Sequence, residues 1–151
     1  GGGDSGVPVG RRCGQLHAGG TVELADGTVV QPDDVVGDPR PGRRFVYTGD
    51  TRPVDATVAV AEEPDLLVHD ATFDDEWAER ARRTGHATGR EAAEIAARAG
   101  ATRLGLVHVS SRYAGDASSI ERDAASAAAD GTEVFLPDDG HTVAVPFPDE
   151  V

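Results

Sequence analysis

The sequence predicts an α/β fold, and three observations carry that prediction. Short apolar runs with β-branched and aromatic residues recur at residues 45–47, 65–70 and 103–109. Such runs, bounded by turn formers, read as buried strands. Between them lie segments with helical periodicity, opened by capping residues and closed by proline or glycine. Strands that alternate with helices build a sheet with helices packed on it. The 151 residues suffice for one domain with a core, or for half of a larger one.

Taken in order, residues 1–20 are glycine-rich without periodicity and read as a loop. Residues 21–24 and 28–30 flank Ala25-Asp26-Gly27, an Asp-Gly hairpin signal. Residues 31–43, with Pro32, Pro39 and Pro41, read as a connection, so 1–43 is a loop and hairpin segment ahead of a domain over 44–151. The strand ending at Tyr47 hands over to Gly49-Asp50-Thr51-Arg52-Pro53. Pro53 suits the first turn of a helix over about 54–62, which Pro64 ends. A strand over 65–70 follows, then a charged helix over 74–83 with Trp77 on its apolar side, then a loop at 84–87. Thr88 and Glu91 form a capping box, Ala92, Ile95, Ala96 and Ala99 repeat at helical spacing, and Gly100 closes the helix. The third strand ends at His108, and Ser118 with Glu121 marks a second capping box before an alanine-rich helix to about 129. Residues 132–136 and 142–145 read as the last strands, joined through Asp138-Asp139-Gly140.

Composition bounds the function. All 14 basic residues are arginine, against 27 acids, for a net charge of −13. Such acidity argues against nucleic acid, because binding a polyphosphate runs on positive charge. Proteins working in concentrated salt also carry many surface acids, and salt screens their repulsion to within a few ångströms, so charge alone does not choose the partner. One cysteine, Cys13, excludes an internal disulfide and points to a reducing compartment such as the cytoplasm. No apolar run approaches the roughly 20 residues that cross a bilayer, and no signal peptide is visible. With no methionine and an opening Gly1-Gly2-Gly3-Asp4, the N-terminus is expected to be internal to a longer product.

Four polar residues fall at strand ends or in adjoining loops: Asp50, Asp70, His86 and His108. Carboxylates there sit where α/β sheets build their sites; an Asx-turn explains Asp50 or Asp70 equally, and helix capping explains His86. Asp and neutral His are good first-row metal ligands, and one carboxylate can bridge two metals about 3.5–4 Å apart. His69 reads as structural, Cys13 as an incidental thiol, and Trp77 as core rather than a base-stacking ring. Arg80-Ala81-Arg82-Arg83 reads as a solvated helix face, with contact to RNA phosphates as the sharper alternative.

Four spaced motifs carry a resemblance. Tyr47-Thr48-Gly49-Asp50-Thr51-Arg52-Pro53, His69-Asp70-Ala71-Thr72-Phe73, Gly85-His86-Ala87-Thr88 and His108-Val109-Ser110-Ser111-Arg112-Tyr113 occur in the order seen in ribonuclease Z. That family is the zinc-dependent endonuclease of metallo-β-lactamase fold that trims tRNA 3′ ends. Gly6-Val7-Pro8-Val9-Gly10 and residues 24–30 also resemble the segment before the family's Gly-Asp-Thr, so the likeness runs from about residue 6 to 145. It implies the C-terminal half of an αββα sandwich. It implies that Asp50 bridges two zinc ions and His108 binds the second, and that His86 donates a proton to the leaving oxygen while Asp70 orients it. Ser110 and Arg112 would grip a substrate phosphate, where an arginine fork fits phosphate oxygens. Precursor tRNA is the implied substrate and a homodimer the implied assembly, with no membrane partner.

The chain departs from the family at Asp70, where Glu is usual, and at Ala87, where Ser is usual. The family's His-x-His-x-Asp-His signature is absent: the histidines are His17, His69, His86, His108 and His141. Two protein ligands fall short of the three that a catalytic zinc needs, so the 151-residue chain alone is expected to be inactive and its half-sandwich to expose apolar sheet surface. Two other readings remain: a different phosphodiesterase or sulfatase on the same fold, or a non-catalytic binding or dimerisation module.

Overall fold

The computed structural model describes residues 11–35 and 42–147. The chain divides into two compact units, separated between residues 41 and 42. The segment 6–10 and part of the connection expected over 31–43 lie outside the described residues.

In the first unit, helix α1 (Arg11–His17) precedes a hairpin of β1 (Val22–Glu23) and β2 (Val29–Val30), with Val22 paired to Val30 and Glu23 to Val29. The hairpin forms where Asp26-Gly27 predicts it. Asp26 Oδ1 accepts the Thr28 N–H at 2.9 Å, a local bond that favours this turn. The loop expected over residues 1–20 is corrected for its second half: Leu16, buried with Val22 and Val30, gives α1 an apolar contact that composition hid. A single helical turn, α2 (Pro32–Val35), opens the expected connection.

The second unit holds a parallel sheet in the order β3 (Phe45–Tyr47), β4 (Leu66–Asp70), β5 (Arg103–Val107) and β6 (Glu133–Phe135). Helices α3 (Asp55–Ala61), α4 (Ala78–Thr84), α5 (Gly89–Ala99) and α6 (Ser118–Ala127) supply the crossovers. Strands laid side by side in chain order, each crossover of one hand, place their helices on one face. Leu67, Leu104 and Leu106 of the sheet pack there against Ile95, Ala92, Ala96, Ile120 and Ala124 of α5 and α6. The small residues let the two helices approach. Gly89 is the closest point, since a Cβ there would overlap the Ile120 carbonyl. Thr88 and Glu91 form the capping box read from sequence, and Gly100 ends α5 in the left-handed region at φ 71°.

Side chains alternate across a strand. Val46 packs on the helical side, so Phe45 and Tyr47 point to the other face, where they are 60% and 61% exposed. Among its described residues the second unit is therefore one sheet and one helical layer, the half-sandwich expected from the motifs, with Phe45 and Tyr47 exposed on the other face. β3 corrects the reading of residues 45–47 as a buried strand. It is an edge strand whose aromatics stand exposed.

Other boundaries are corrected too. Ser118 and Glu121 make no capping box: Ala117 is the cap residue, and Asp116 Oδ1 takes the Ser118 N–H at 2.9 Å instead. The charged helix of 74–83 splits into a 3-10 turn (Asp75–Trp77) and α4. Residues 142–145 join no ladder. The Ala144 and Val145 carbonyls accept from Arg103 and Arg43 side chains at 2.7 and 2.9 Å. Among the described residues no helix is long and apolar enough to cross a membrane.

Candidate metal and acid–base centre

Parallel strands release their chains at one sheet edge. β3 leads to Gly49, whose φ of 65° turns the chain, and to Asp50; β4 ends at Asp70; β5 leads to His108. A bridge between Phe73 and Thr88 brings in the fourth residue: Phe73 N–H donates to Ala87 at 3.3 Å and Gly89 N–H to Phe73 at 3.0 Å, fixing the His86 loop beside β4.

Asp70 is the hub. Its side chain is fully buried, and its two oxygens accept five hydrogen bonds. Oδ1 takes the Thr72 N–H (3.0 Å), the Thr72 hydroxyl (2.8 Å) and the Ala87 N–H (3.2 Å). Oδ2 takes the Thr51 N–H (3.0 Å) and His86 Nδ1 (2.8 Å). Burial pushes the carboxyl's pKa up, but the bonds from His86, Thr72 and Ala87 outweigh it and hold the group below the usual carboxylate range. Asp70 is thus an anion. The shorter side chain reaches His86, and Ala87 contributes its backbone N–H where a hydroxyl was missed.

This network sets both histidine tautomers. An ionised carboxylate only accepts, so His86 donates from Nδ1 and presents Nε2 outward. The Thr72 hydroxyl spends its one proton on Asp70. Its oxygen, 2.9 Å from His108 Nδ1, must then accept, so in the neutral ring the lone pair lies on Nε2. That Nε2 lies 3.2 Å from Asp50 Oδ2. The two imidazole rings stack with centroids 4.9 Å apart.

The donor set fits a cation. Two ligands at about 2.0–2.1 Å on a tetrahedral ion sit roughly 3.3 Å apart, close to the Asp50–His108 separation. Ligand atoms of Asp70, His86 and His108 also lie within 4.8 Å of one another. With five bonds on a group that has about four lone-pair sites, however, Asp70 is already committed. Asp50 and His108 are the pair left open to an ion. His108 reaches this position at φ 61°, a conformation that non-glycine residues seldom adopt. A second-sphere partner that fixes a histidine's tautomer is the usual companion of a metal ligand, and Thr72 is that partner here.

Sequence reasoning quoted Thr72 and Arg52 inside their motifs and gave neither a role. Their signal was position, beside Asp70 and Asp50. Arg52 grips the Glu91 carboxylate by two bonds and donates to the His86 carbonyl. Ser110 and Arg112 lie farther along the same edge: Ser110 Oγ caps a 3-10 turn (Ser111–Tyr113), and the Arg112 guanidinium covers the Trp77 ring at 3.8 Å. The reading of Trp77 as core is corrected: it is 39% exposed. His69 is buried as expected of a structural residue, its Nδ1 on the Asp70 carbonyl at 2.8 Å.

A one-sided parallel sheet that brings a carboxylate–histidine donor pair and a carboxylate–histidine dyad to one edge defines an α/β half-domain with a candidate cation site. The chain belongs to the beta-lactamase superfamily, whose domain family matches residues 15–109. It is 67% identical over 145 residues to Ribonuclease Z of Natronomonas pharaonis, covering 96% of this chain and 46% of that one. To Ribonuclease Z of Halorubrum lacusprofundi it is 65% identical, covering 95% and 46%. The crystal structure of human tRNase Z, short form, matches at 31% identity with a TM-score of 0.55, over 79% of this chain and 37% of that one. The resemblance read from four motifs therefore holds along nearly the whole sequence. The chain spans about half the length of the curated relatives it matches.

Proposed function

We propose that this chain supplies the acid–base dyad and two metal donors of an endoribonuclease that removes the 3′ trailer from tRNA precursors. The observation that carries the reading is the juxtaposition of Asp50–His108 at 3.2 Å with Asp70–His86 at 2.8 Å, on rings stacked 4.9 Å apart. Similarity to proteins named Ribonuclease Z along nearly all of the chain supports it.

In this reading Asp50, through its carboxylate, and His108, through Nε2, would hold zinc together with ligands from the rest of the complete protein. Bound zinc would supply Lewis-acid stabilisation of phosphoryl oxygens and acidify a water. His86, its Nδ1 tied to Asp70, carries a proton on Nε2 toward the departing ribose oxygen. Asp70 holds the plane of that ring through Nδ1, while Thr72 orients His108 through its own Nδ1. Ser110 and Arg112 serve the substrate phosphates, and the complete protein acts as a cytoplasmic homodimer.

The test is cleavage of a precursor tRNA by the full-length product of the reading frame that contains this sequence. We expect 3′-trimmed tRNA from the full-length protein, none from the 151-residue chain, and a loss in kcat of about 10²–10⁴ for His86→Ala. Hydrolysis of small phosphodiesters with no action on precursor tRNA would overturn the reading.

A further inference from the structure

The one tryptophan of this chain is not in the core. The 3-10 turn Asp75–Trp77 holds its ring 39% exposed, and the Arg112 guanidinium lies over that ring at 3.8 Å and over Phe73 at 5.5 Å. Phe73 in turn meets the His86 ring edge-on at 6.5 Å. The stack therefore stands one ring away from the dyad.

Neither ordinary structural role accounts for it. A packing role would bury the indole. A charge-pairing role would give Arg112 one of the 27 acids, as Arg44, Arg52, Arg82, Arg90, Arg98 and Arg103 each have one. Among the described residues Arg112 makes no ion pair, and neither do Arg80 and Arg83, which follow Trp77 on α4. In a chain of net charge −13 Arg112 keeps its guanidinium on the exposed indole rather than on an acid. The two turns are also fixed to each other: Tyr113 Oη accepts the Asp74 N–H at 3.1 Å, and Ser119 Oγ donates to Asp74 Oδ2 at 2.8 Å. The platform is preorganised, with an aromatic face and a planar cation.

We propose that the Trp77–Arg112 stack is a base-binding platform for single-stranded RNA at the edge of the dyad, an assignment that rests on the endoribonuclease reading. Stacking of a base on an aromatic or guanidinium plane tolerates any sequence. It depends on salt less than phosphate pairing does, which suits a chain built for concentrated salt.

Because no other tryptophan is present, emission from Trp77 reports the contact directly. The experiment titrates the 151-residue chain with a single-stranded oligoribonucleotide, with the same RNA as a duplex, and with inorganic polyphosphate, in low and in molar KCl. We expect quenching by the single strand to persist in molar KCl, and any response to duplex or polyphosphate, whose phosphates Arg112 also meets, to vanish there. By anisotropy of labelled RNA, W77A and R112A should each bind about tenfold more weakly, with W77F close to wild type. Absence of quenching by the single strand, equal quenching by polyphosphate in molar KCl, or unchanged binding by W77A overturns the platform. Failure there is separable from failure of the endoribonuclease reading, which stands or falls on wild-type full-length cleavage. If that cleavage is present, W77A should raise KM with kcat retained, and an unchanged KM counts against the platform alone.

Discussion

The Arg52 guanidinium meets the Glu91 carboxylate at two points, Nη1 to Oε2 at 2.8 Å and Nη2 to Oε1 at 2.6 Å, and its Nη1 also reaches the backbone carbonyl of His86. Arg52 stands two residues beyond Asp50, and Glu91 is the capping residue that takes the Thr88 N–H at 2.9 Å. One side chain thus ties the loop of a metal donor to the loop of the proton carrier and to the start of α5. Removing it leaves Glu91 without its cation in a half-buried place. We expect Arg52→Ala to lower stability by about 1–3 kcal/mol. Arg52→Lys keeps the charge but loses the fork and should recover only part of that. Thermal melting of the three proteins checks this, and an Arg52→Lys melt equal to wild type would refute the two-point argument.

Zinc should bind the chain without holding it together. The core of Leu67, Leu104, Leu106, Ile95 and Ile120 forms without contribution from Asp50 or His108. EDTA is therefore expected to leave the melting temperature unchanged. Added zinc should perturb the His108 ring resonances, and Asp50→Asn should abolish that shift. Unfolding on chelation would contradict this.

His108 pays a conformational cost for its position. A non-glycine residue at φ 61° is strained by about 1 kcal/mol, and asparagine tolerates the same region better. His108→Asn should melt no lower than wild type while losing the zinc response. A melting temperature several degrees lower would mean that the Thr72 contact outweighs the strain.

Acid should weaken the fold in two windows. Burial pushes the His69 pKa below its usual value, against the contrary pull of the Asp70 carbonyl. The folded ring therefore resists protonation that the unfolded chain accepts. Its contribution is complete above the unfolded value of about 6.5 and is lost as pH falls below that toward the folded value. Asp70 is likewise depressed in the fold, so its contribution is complete above about 3.9 and fades as pH falls through its lower folded value. Urea midpoints from pH 8 to 5 should decline in wild type and stay flat in His69→Leu. Equal slopes in both proteins would remove His69 as the cause.

Gly89 tests the helix contact. A Cβ there would run into the Ile120 backbone of α6, which cannot swing aside as a flexible side chain can. Gly89→Ala should cost about 1–3 kcal/mol despite alanine's better helix propensity. A stabilised variant would show that α5 and α6 have room to separate.

Much of this was legible in local chemistry. The Thr88–Glu91 box, the Asp26-Gly27 turn and the alternation of strands with helices depend on neighbours a few residues apart, and short-range hydrogen bonds and periodicity record them. The candidate residues Asp50, Asp70, His86 and His108 were legible for a related reason: each stands where an apolar strand or a turn ends. The identity of a hydrogen-bond partner far along the chain leaves no such trace. Sequence spacing alone could not show that α6 starts after Ala117 with the Ser118 N–H on Asp116, or that residues 142–145 find arginine side chains instead of a strand.

What the amino-acid order determined by itself was the alternation of strands with helices and the residues able to do chemistry at strand ends, since burial pattern and residue type are properties of the string; the half-sandwich came from the motif resemblance. What only the folded chain decided was their protonation and exposure. Thr72 assigns its single proton to Asp70 and thereby places the lone pair of the neutral His108 ring on Nε2; Arg52 binds two loops; Trp77 remains outside, under Arg112. Each of these depends on atoms brought within about 4 Å from separate segments, where hydrogen bonds and close electrostatic contacts act.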